Sequence, residues 1–252
     1  MAGSEDISRA GKAAPSPRVE PELFSRVSVV RISELIVEQI RPLMRQGQLK
    51  LGDRLPPERD LCERFGVSPL AVREALRMLE SCGLVEIRAG ARGGAFVTVP
   101  SSSRVGEDLT DLLTLSMTSA ADVTEVRAIL EAGIVPLVCE RATEEDLSDL
   151  DEICQRSEKA LHDGGYTMDM SLEFHLRVAE ATHNPAVSML VQSFRRPILL
   201  SLREAKNVAP EMGHLGTREH GLFTEAIHRR DPEAASRIMA EHLRRTAHRL
   251  GC

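Results

Sequence analysis

The amino-acid sequence predicts two domains: a small domain of helices and a short β-hairpin, followed by a larger all-α domain. The 252 residues are enough for two ordinary domains, each with its own apolar core. Aromatic residues make up only 3% of the chain, while Leu, Ala, Val and Ile are plentiful, which favours packing of helices on helices over a β-sandwich. Turn residues and short strand patterns cluster within residues 52–99, and the periodicity from residue 107 onward is helical.

The charges are unevenly distributed between these two parts. Residues 24–100 contain twelve Lys and Arg against nine Asp and Glu, whereas residues 101–252 contain seventeen against twenty-five. The first part is therefore weakly positive and the second strongly acidic, within a formal net charge of −6. A positive module joined to an acidic one is compatible with DNA binding by the first domain.

Residues 1–22 are rich in Ser, Ala, Pro and charge and have no periodicity, so we expect a disordered tail. They lack the apolar core of a signal peptide, and no stretch of the chain approaches the ~20 consecutive apolar residues of a membrane span. The five cysteines have no C-x-x-C spacing, which indicates neither a disulfide framework nor a thiolate metal site. We therefore expect a cytoplasmic protein without a membrane partner.

The first domain, residues 23–99, has the element order of a winged helix-turn-helix. A periodic apolar segment predicts a first helix whose last turn is weakened by Pro42. A short helix follows at 57–65, and after a tight turn Ser68 is placed to cap a second helix over 69–82. Two short strands, "LVEIR" and "AFVTV", are joined by the glycine-rich "AGARGG". This order is typical of DNA-binding domains that read the major groove.

Arginines lie on the three surfaces that such a domain offers to DNA. A helix-turn-helix places its second helix in the major groove, and its loops and hairpin contact phosphates or the minor groove. A single surface arginine is ordinarily just solvated. Their combined placement on these surfaces favours DNA contact. The arginines are Arg54 and Arg59 around the first short helix, Arg73 and Arg77 on the second, and Arg88 and Arg92 on the hairpin.

The second domain, residues 107–252, predicts an antiparallel bundle of six to seven helices behind a polar linker at 100–106. The sequence predicts where the last helix begins, because Asp231 is a favoured N-cap residue and Pro232 is favoured at the first helical position. The expected helical segments are 107–117, 122–141, 143–162, 168–182, 185–206, 213–230 and 232–250.

Three of the eight histidines lie on helix faces that should be buried: His175, His220 and His242. One buried histidine is usually a hydrogen-bonded core residue. Three on different helices of one bundle favour a shared ligand, because three neutral imidazole nitrogens are a common ligand set for a divalent metal. Zinc suits this set best, and nickel or manganese is an alternative.

The first domain resembles the GntR family of bacterial transcription regulators over its entire length. The motifs that carry the resemblance are "GDRLPPERDL", "GVS", "VREALRMLE" and the "GLV" leading to "GGAFV". The resemblance implies operator contacts at Arg59, Ser68, Arg73 and Gly90. The family pattern commonly has Arg directly after the "VS" pair, where this sequence has Pro69.

The second domain resembles the FCD ligand-binding domain of the FadR-type branch of that family. The motifs are "EVRAILE", "EFHLRVAEATHNP", "EHGLFTEAI" and "DPEAASRIMAEH". In metal-binding members an aspartate four residues before the first histidine completes the site, and this sequence has Ser171 there. Asp169 is a poor substitute, since it lies roughly 120° away around the helix. Water, an effector carboxylate or nothing would then take the fourth position.

The resemblance also implies that Arg127 binds the carboxylate of a small effector, as a planar guanidinium can. The alternative is an ion pair within the helix with Glu131, four residues further on. Ser171 and Arg203 are further candidates for effector binding.

The sequence therefore predicts a homodimeric, metabolite-responsive repressor that binds double-stranded DNA at a short near-palindromic operator. Its effector, carrying a carboxylate, would bind in the helical domain, with or without a metal on the three histidines. A metal-free regulator is the main alternative. A three-histidine metallohydrolase is a distant one, because it requires a general base and the neighbouring Glu173, Glu219 and Glu241 point to other sides of their helices. We expect no enzymatic activity.

Overall fold

A computed structural model describes residues 29–90 and 92–250 of the chain. The predicted tail at 1–22 and the first residues of the predicted DNA-binding domain lie outside these ranges. The chain divides into two compact units, Met1–Thr98 and Val99–Cys252, each with its own apolar core.

The first unit has the predicted order of three helices and a hairpin. Its helices are α1 (Val29–Arg45), α2 (Glu58–Phe65) and α3 (Pro69–Ser81), and its strands are β1 (Val85–Arg88) and β2 (Gly94–Val97). The strands pair antiparallel, with Val85 opposite Val97 and Arg88 opposite Gly94. Its core comes from all three helices and the hairpin, with Ile36, Ile40, Leu61, Val72, Leu76, Leu79, Val85 and Val97 buried. The winged helix-turn-helix fold is confirmed.

The turn between α2 and α3 is set by three residues. Gly66 ends α2 in the left-handed conformation, with φ 66°, which glycine adopts at little cost. The Ser68 hydroxyl accepts a hydrogen bond from the Ala71 amide at 3.3 Å, and Pro69 occupies the first helical position. Helix α1 continues past Pro42 to Arg45, which differs from the predicted weakening of its last turn, because the proline removes only one backbone donor.

The second unit is all-helical over the described residues 102–249, and it contains eight helices. These are α4 (Ser102–Leu115), α5 (Ala120–Arg141), α6 (Glu144–His162), α7 (Met168–Glu180), α8 (Pro185–Ser193), α9 (Arg195–Val208), α10 (Met212–His228) and α11 (Pro232–Arg249). None of the helices in the described part of the chain combines the length and apolar character that a membrane crossing needs.

Two predicted boundaries in this unit are wrong. The linker at 100–106 is shorter than expected, because Ser101 caps α4 by accepting a hydrogen bond from the Arg104 amide at 3.3 Å. The predicted helix at 185–206 is two helices that meet at Phe194. Pro197 explains the break, since it has no amide hydrogen and its ring clashes with the carbonyl four residues earlier.

Helix α5 packs against α7, α9 and α11 in the second unit. Its buried residues lie on one face, and its exposed face includes the apolar Ile129 among charged residues, so the sequence has no strongly polar side to mark the surface. Among its buried residues are Val135 and Val138, but also the charged Arg127 and Glu131. The ion pair of Arg127 and Glu131 therefore lies inside the helical bundle, in contact with His175 of α7.

Two helical glycines provide a matched test of this packing. A Cβ on Gly106 of α4 would lie 2.8 Å from the Ser193 carbonyl oxygen, whereas a Cβ on Gly133 of α5 would meet nothing within 4 Å. Alanine is favoured over glycine in helices by about 1 kcal/mol, and overpacking costs about 1–3 kcal/mol. Gly133→Ala should therefore raise the free energy of unfolding and Gly106→Ala should lower it, as measured by urea denaturation followed by circular dichroism. Equal effects of the two substitutions would contradict this packing.

Candidate effector and DNA-binding sites

The three predicted histidines come together inside the second unit. His175 on α7, His220 on α10 and His242 on α11 each offer a ring nitrogen, and these three nitrogens lie within 4.8 Å of one another. All three residues are buried. Their ring centroids are 4.9 to 5.2 Å apart. The sequence prediction that they share one interior position is consistent with this geometry.

Aromatic packing holds two of these rings in place. The His220 ring stacks on Phe174 with a centroid distance of 3.9 Å and an interplanar angle of 8°. Phe174 also meets His175 and Phe223 edge-on, at 5.6 and 5.9 Å. Because Phe174 packs against the rings of His175 and His220, these two rings hold their positions without a ligand.

Two carboxylates approach the Nδ1 atoms of two histidines. The Nδ1 atom of His175 lies 2.6 Å from Oε2 of Glu131, and Nδ1 of His242 lies 2.8 Å from Oε2 of Glu219. Each carboxylate is also paired with an arginine, Glu131 with Arg127 at 2.7 Å and Glu219 with Arg245. The arginines balance the carboxylate charge, so the cluster is close to neutral.

Burial keeps the imidazoles in their neutral form. It lowers the pKa of His175 and of His242 to about 4, although Glu131 partly opposes the shift, and it lowers the pKa of His220 well below its ordinary value. The pKa of Glu131 is raised by burial, but Arg127 and His175 together hold it well below its usual range. At neutral pH both rings are therefore uncharged. His242 Nδ1 is hydrogen-bonded to Glu219, and His175 Nδ1 lies in close contact with Glu131, so we expect the ring protons on Nδ1 and a lone pair on Nε2.

Several buried polar atoms of this cluster have no hydrogen-bond partner among the described residues. They include Nε2 of His175, His220 and His242 and both terminal nitrogens of Arg127. Buried polar groups almost always have hydrogen-bond partners, so the three Nε2 acceptors and the two terminal N–H donors of Arg127 indicate a missing ligand. Three neutral imidazole nitrogens with carboxylates behind two of them fit a divalent metal ion. Arg127 fits a carboxylate beside it.

The two remaining predicted residues of this site differ in position. Ser171 is buried one turn before His175 and lies near Tyr166, whose pKa is raised by burial. Arg203 forms an exposed ion pair with Asp169, at 3.2 Å, and both side chains are at least half exposed. The structure therefore does not bring Arg203 or Asp169 to the histidines.

The ion pair of Arg127 with Glu131 is present in the structure, through Nε, while effector binding by Arg127 stays a prediction. Its two terminal nitrogens are buried without a hydrogen-bond partner among the described residues. The contacts of Glu131 with His175 and of Glu219 with His242 were not predicted. Glu219 does point away from His220, as its offset required, and reaches a histidine of the next helix instead. Only the i,i+4 spacing of Arg127 and Glu131 is visible in the sequence.

In the first unit, α3 exposes Arg73 and Arg77 on the side opposite its buried Val72, Leu76 and Leu79. Arg73 lies 3.8 Å from Glu58 and Arg77 lies 3.0 Å from Glu74, both at the surface. Exposed pairs of this kind contribute little to stability and can be exchanged for phosphate contacts. The structure therefore leaves both arginines available on the face predicted to read DNA.

The other predicted DNA contacts lie at the surface around the hairpin and α2. Arg59 is highly exposed and 3.7 Å from Glu63, and Gly90 and Arg92 are exposed in the hairpin loop. Arg54 differs from the prediction, because its guanidinium donates to the Gly93 carbonyl and so holds the hairpin loop. Ser68 uses its hydroxyl to cap α3.

Comparisons with known proteins agree with this division. Residues 32–97 match the family described as bacterial regulatory proteins, gntR family, and residues 122–245 match the FCD domain. The chain is 32% identical over 237 residues to the Uxu operon transcriptional regulator of Escherichia coli (strain K12), with 90% of this chain and 89% of that protein covered. The two domains therefore define a class, the transcription regulators that combine a winged helix-turn-helix with a helical FCD domain.

The chain belongs to the GntR family of bacterial regulatory proteins, with an FCD domain as its second domain, and is a transcription regulator rather than an enzyme. It is 29% identical over 218 residues to the HTH-type transcriptional repressor NanR of Enterobacter sp. (strain 638), with 84% of this chain and 83% of that protein covered. The solved structure of Streptococcus agalactiae GntR matches 89% of this chain and 100% of its own, with a TM-score of 0.61 and 25% identity.

The buried histidines predict how stability depends on pH in the metal-free protein. The pKa of His175 and His242 is about 4 in the folded state against 6.5 as the ordinary value, so the unfolded chain binds more protons between these pH values. The free energy of unfolding should be fully present above pH 6.5 and fall as the pH drops toward 4, by up to about 1.4 kcal/mol per pH unit for each histidine.

Urea denaturation of chelator-treated protein at pH 7.5, 6.5, 5.5 and 4.5 measures this dependence. His242→Gln should reduce the slope, because Gln does not titrate, while His162→Gln should not, because His162 is exposed. A stability that stays constant from pH 6.5 to 4.5 would show that the cluster is not buried and neutral.

Proposed function

We propose that this regulator is a homodimeric repressor that binds a near-palindromic operator and releases it when a small carboxylate binds among the helices of the FCD domain. The observation that carries the effector site is the convergence of three unpartnered histidine nitrogens and the unpartnered end of Arg127 in one buried cluster. A protein that works on chromosomal DNA in this way is cytoplasmic. A homodimer suits an operator of two half-sites, since twofold symmetry of the protein matches that of the DNA.

For DNA binding, we propose that α3 lies in the major groove. Arg73 and Arg77 lie on the exposed face of this helix. Ser68 caps its N-terminus, where the positive end of the helix dipole would favour contact with a phosphate. Arg59 on α2 would contact phosphate. The hairpin loop, with Gly90 and Arg92 and held by Arg54, would contact the backbone or the minor groove.

Removal of one arginine tests this arrangement. Arg73→Ala should weaken binding to the operator and reduce the salt dependence by about one released ion per half-site, because each phosphate contact releases condensed counterions. Arg237→Ala, which removes an exposed arginine of α11 in the second unit, serves as the matched control. Fluorescence anisotropy of labelled operator DNA at several salt concentrations measures both quantities. If the two variants behave alike, α3 is not the DNA-reading helix.

For the effector site, we propose a divalent metal held by His175, His220 and His242. Zinc is the first choice for neutral imidazoles, with nickel or manganese as alternatives. Bound metal would supply a Lewis-acidic position for an effector oxygen. No carboxylate of the described residues is free beside the three Nε2 atoms, since Glu131 and Glu219 contact Nδ1 atoms. The effector's own carboxylate would then complete the site, with Arg127 as its second anchor.

Metal analysis of protein purified without chelator or metal-affinity resin tests the ligand set. The wild-type protein should contain close to one metal per chain, and His220→Ala should lose it, because two imidazoles hold a divalent ion weakly. His162→Ala, which removes an exposed histidine, should retain it. Absence of metal from the wild-type protein, also after incubation with zinc, would support the metal-free alternative, in which the histidines hydrogen-bond an organic ligand directly.

The role of Arg127 is tested by thermal unfolding with a panel of short mono- and dicarboxylates. An acid that binds should raise the melting temperature of the wild-type protein through mass action. The double variant Arg127→Met/Glu131→Gln should lose this shift, since it removes the guanidinium without leaving Glu131 as an unpaired buried charge. Arg203→Met should keep the shift, because Arg203 lies in an exposed pair with Asp169. Loss of the shift in Arg203→Met alone would place the effector elsewhere.

A further inference from the structure

An exposed leucine lies at the start of the helix that is proposed to read DNA. Leu70 is the second residue of α3 and is 49% exposed, although it is a large apolar side chain. Its neighbour Pro69 is also exposed. A single exposed leucine on an ordinary surface needs no explanation. Leu70 is of interest because it lies on the same helix as the exposed Arg73 and Arg77.

Leu70 shares its helix face with both arginines. Residues at i, i+3 and i+7 of a helix lie above one another, which places Leu70, Arg73 and Arg77 in one exposed stripe. The opposite side of α3 is buried and consists of Ala71, Val72, Ala75, Leu76 and Leu79. The stripe is thus basic over its length and apolar at its N-terminal end, which is the end that approaches base edges in a helix-turn-helix.

The chemistry of this end limits what it can read. Pro69 and Leu70 have no hydrogen-bonding group in their side chains, and the Ser68 hydroxyl caps the helix. In the major groove, the feature of a base pair that an apolar side chain recognises is the C5-methyl group of thymine. Guanine and adenine instead present acceptors and donors that would be left unpaired against leucine.

We propose that Leu70 is a specificity-determining residue that contacts the methyl group of a thymine in each operator half-site. This inference rests on the proposed placement of α3 in the major groove. Arg73 and Arg77 hold the helix on the flanking phosphates or bases, and the rigid Pro69 fixes the direction of the first turn. Leu70 then contributes apolar contact at one base position.

The test begins with selection of an operator from random duplex DNA by the full-length wild-type protein. Each thymine of the selected operator is then replaced in turn by deoxyuridine, which removes only the C5-methyl group. At one position in each half-site, this replacement should weaken binding by about fourfold, the value expected for losing one buried methyl group. At the other thymines the replacement should leave the affinity unchanged.

Two variants assign the effect to the side chain. Leu70→Ala should bind the thymine and deoxyuridine operators equally at that position, because the contact is already lost. Leu35→Ala, which shortens an equally exposed leucine of α1, should retain the fourfold difference. Both leucines are at the surface, so both variants should fold, which circular dichroism verifies.

The outcomes separate this inference from the proposed function. If no sequence is selected, sequence-specific operator binding is overturned and this inference falls with it. If an operator is selected but deoxyuridine has no effect at any position, the thymine contact alone is overturned. A methyl effect that persists in Leu70→Ala assigns the contact to a different residue and also overturns the role of Leu70.

Discussion

The second unit is organised around the buried contact between Arg127, Glu131 and His175. Burying a charge pair costs free energy, and removing one partner of such a pair costs about 3–5 kcal/mol, because the other charge is left uncompensated. Glu131 must therefore keep Arg127 on one oxygen, and its second oxygen is directed to His175. The pair thereby links α5 to α7 and fixes the orientation of one histidine ring. It also leaves the terminal nitrogens of Arg127 turned into the core.

The same logic recurs at His242, where Glu219 is neutralised by Arg245 and contacts Nδ1. The hydrogen bond to Glu219 fixes the tautomer of His242, and burial keeps the rings uncharged, so Nε2 remains available as a ligand. Burying these polar atoms without partners costs free energy that a core of leucines would not, and a ligand bound as proposed would supply the missing partners. A ligand that satisfies them would stabilise the bundle by mass action, which is how an effector can be coupled to the rest of a regulator.

Much of this architecture could be predicted from the sequence, and the failures have physical causes. Local signals were sufficient for α3, where Gly66, Ser68 and Pro69 determine the turn and cap, and for the three histidines, whose helical spacing placed them on apolar faces. The break at Phe194 is hidden in the sequence because the apolar periodicity continues through it, although Pro197 lies three residues later. The start of α4 is hidden because a serine that caps a helix and a serine in a linker have the same local sequence signal. The reach of Glu219 to His242 depends on how two helices pack, which no local pattern encodes.

The central claim is that burial and two carboxylates hold the histidines neutral, with Nε2 free for a ligand. The most direct measurement is ¹⁵N NMR of histidine-labelled, metal-free protein at pH 7, with assignment by single His→Gln variants. The account predicts neutral rings for all three and the Nδ1-protonated tautomer for His175 and His242, with Nε2 shifting when zinc is added. Imidazolium signals at pH 7, or the Nε2-protonated tautomer for both residues, would contradict it.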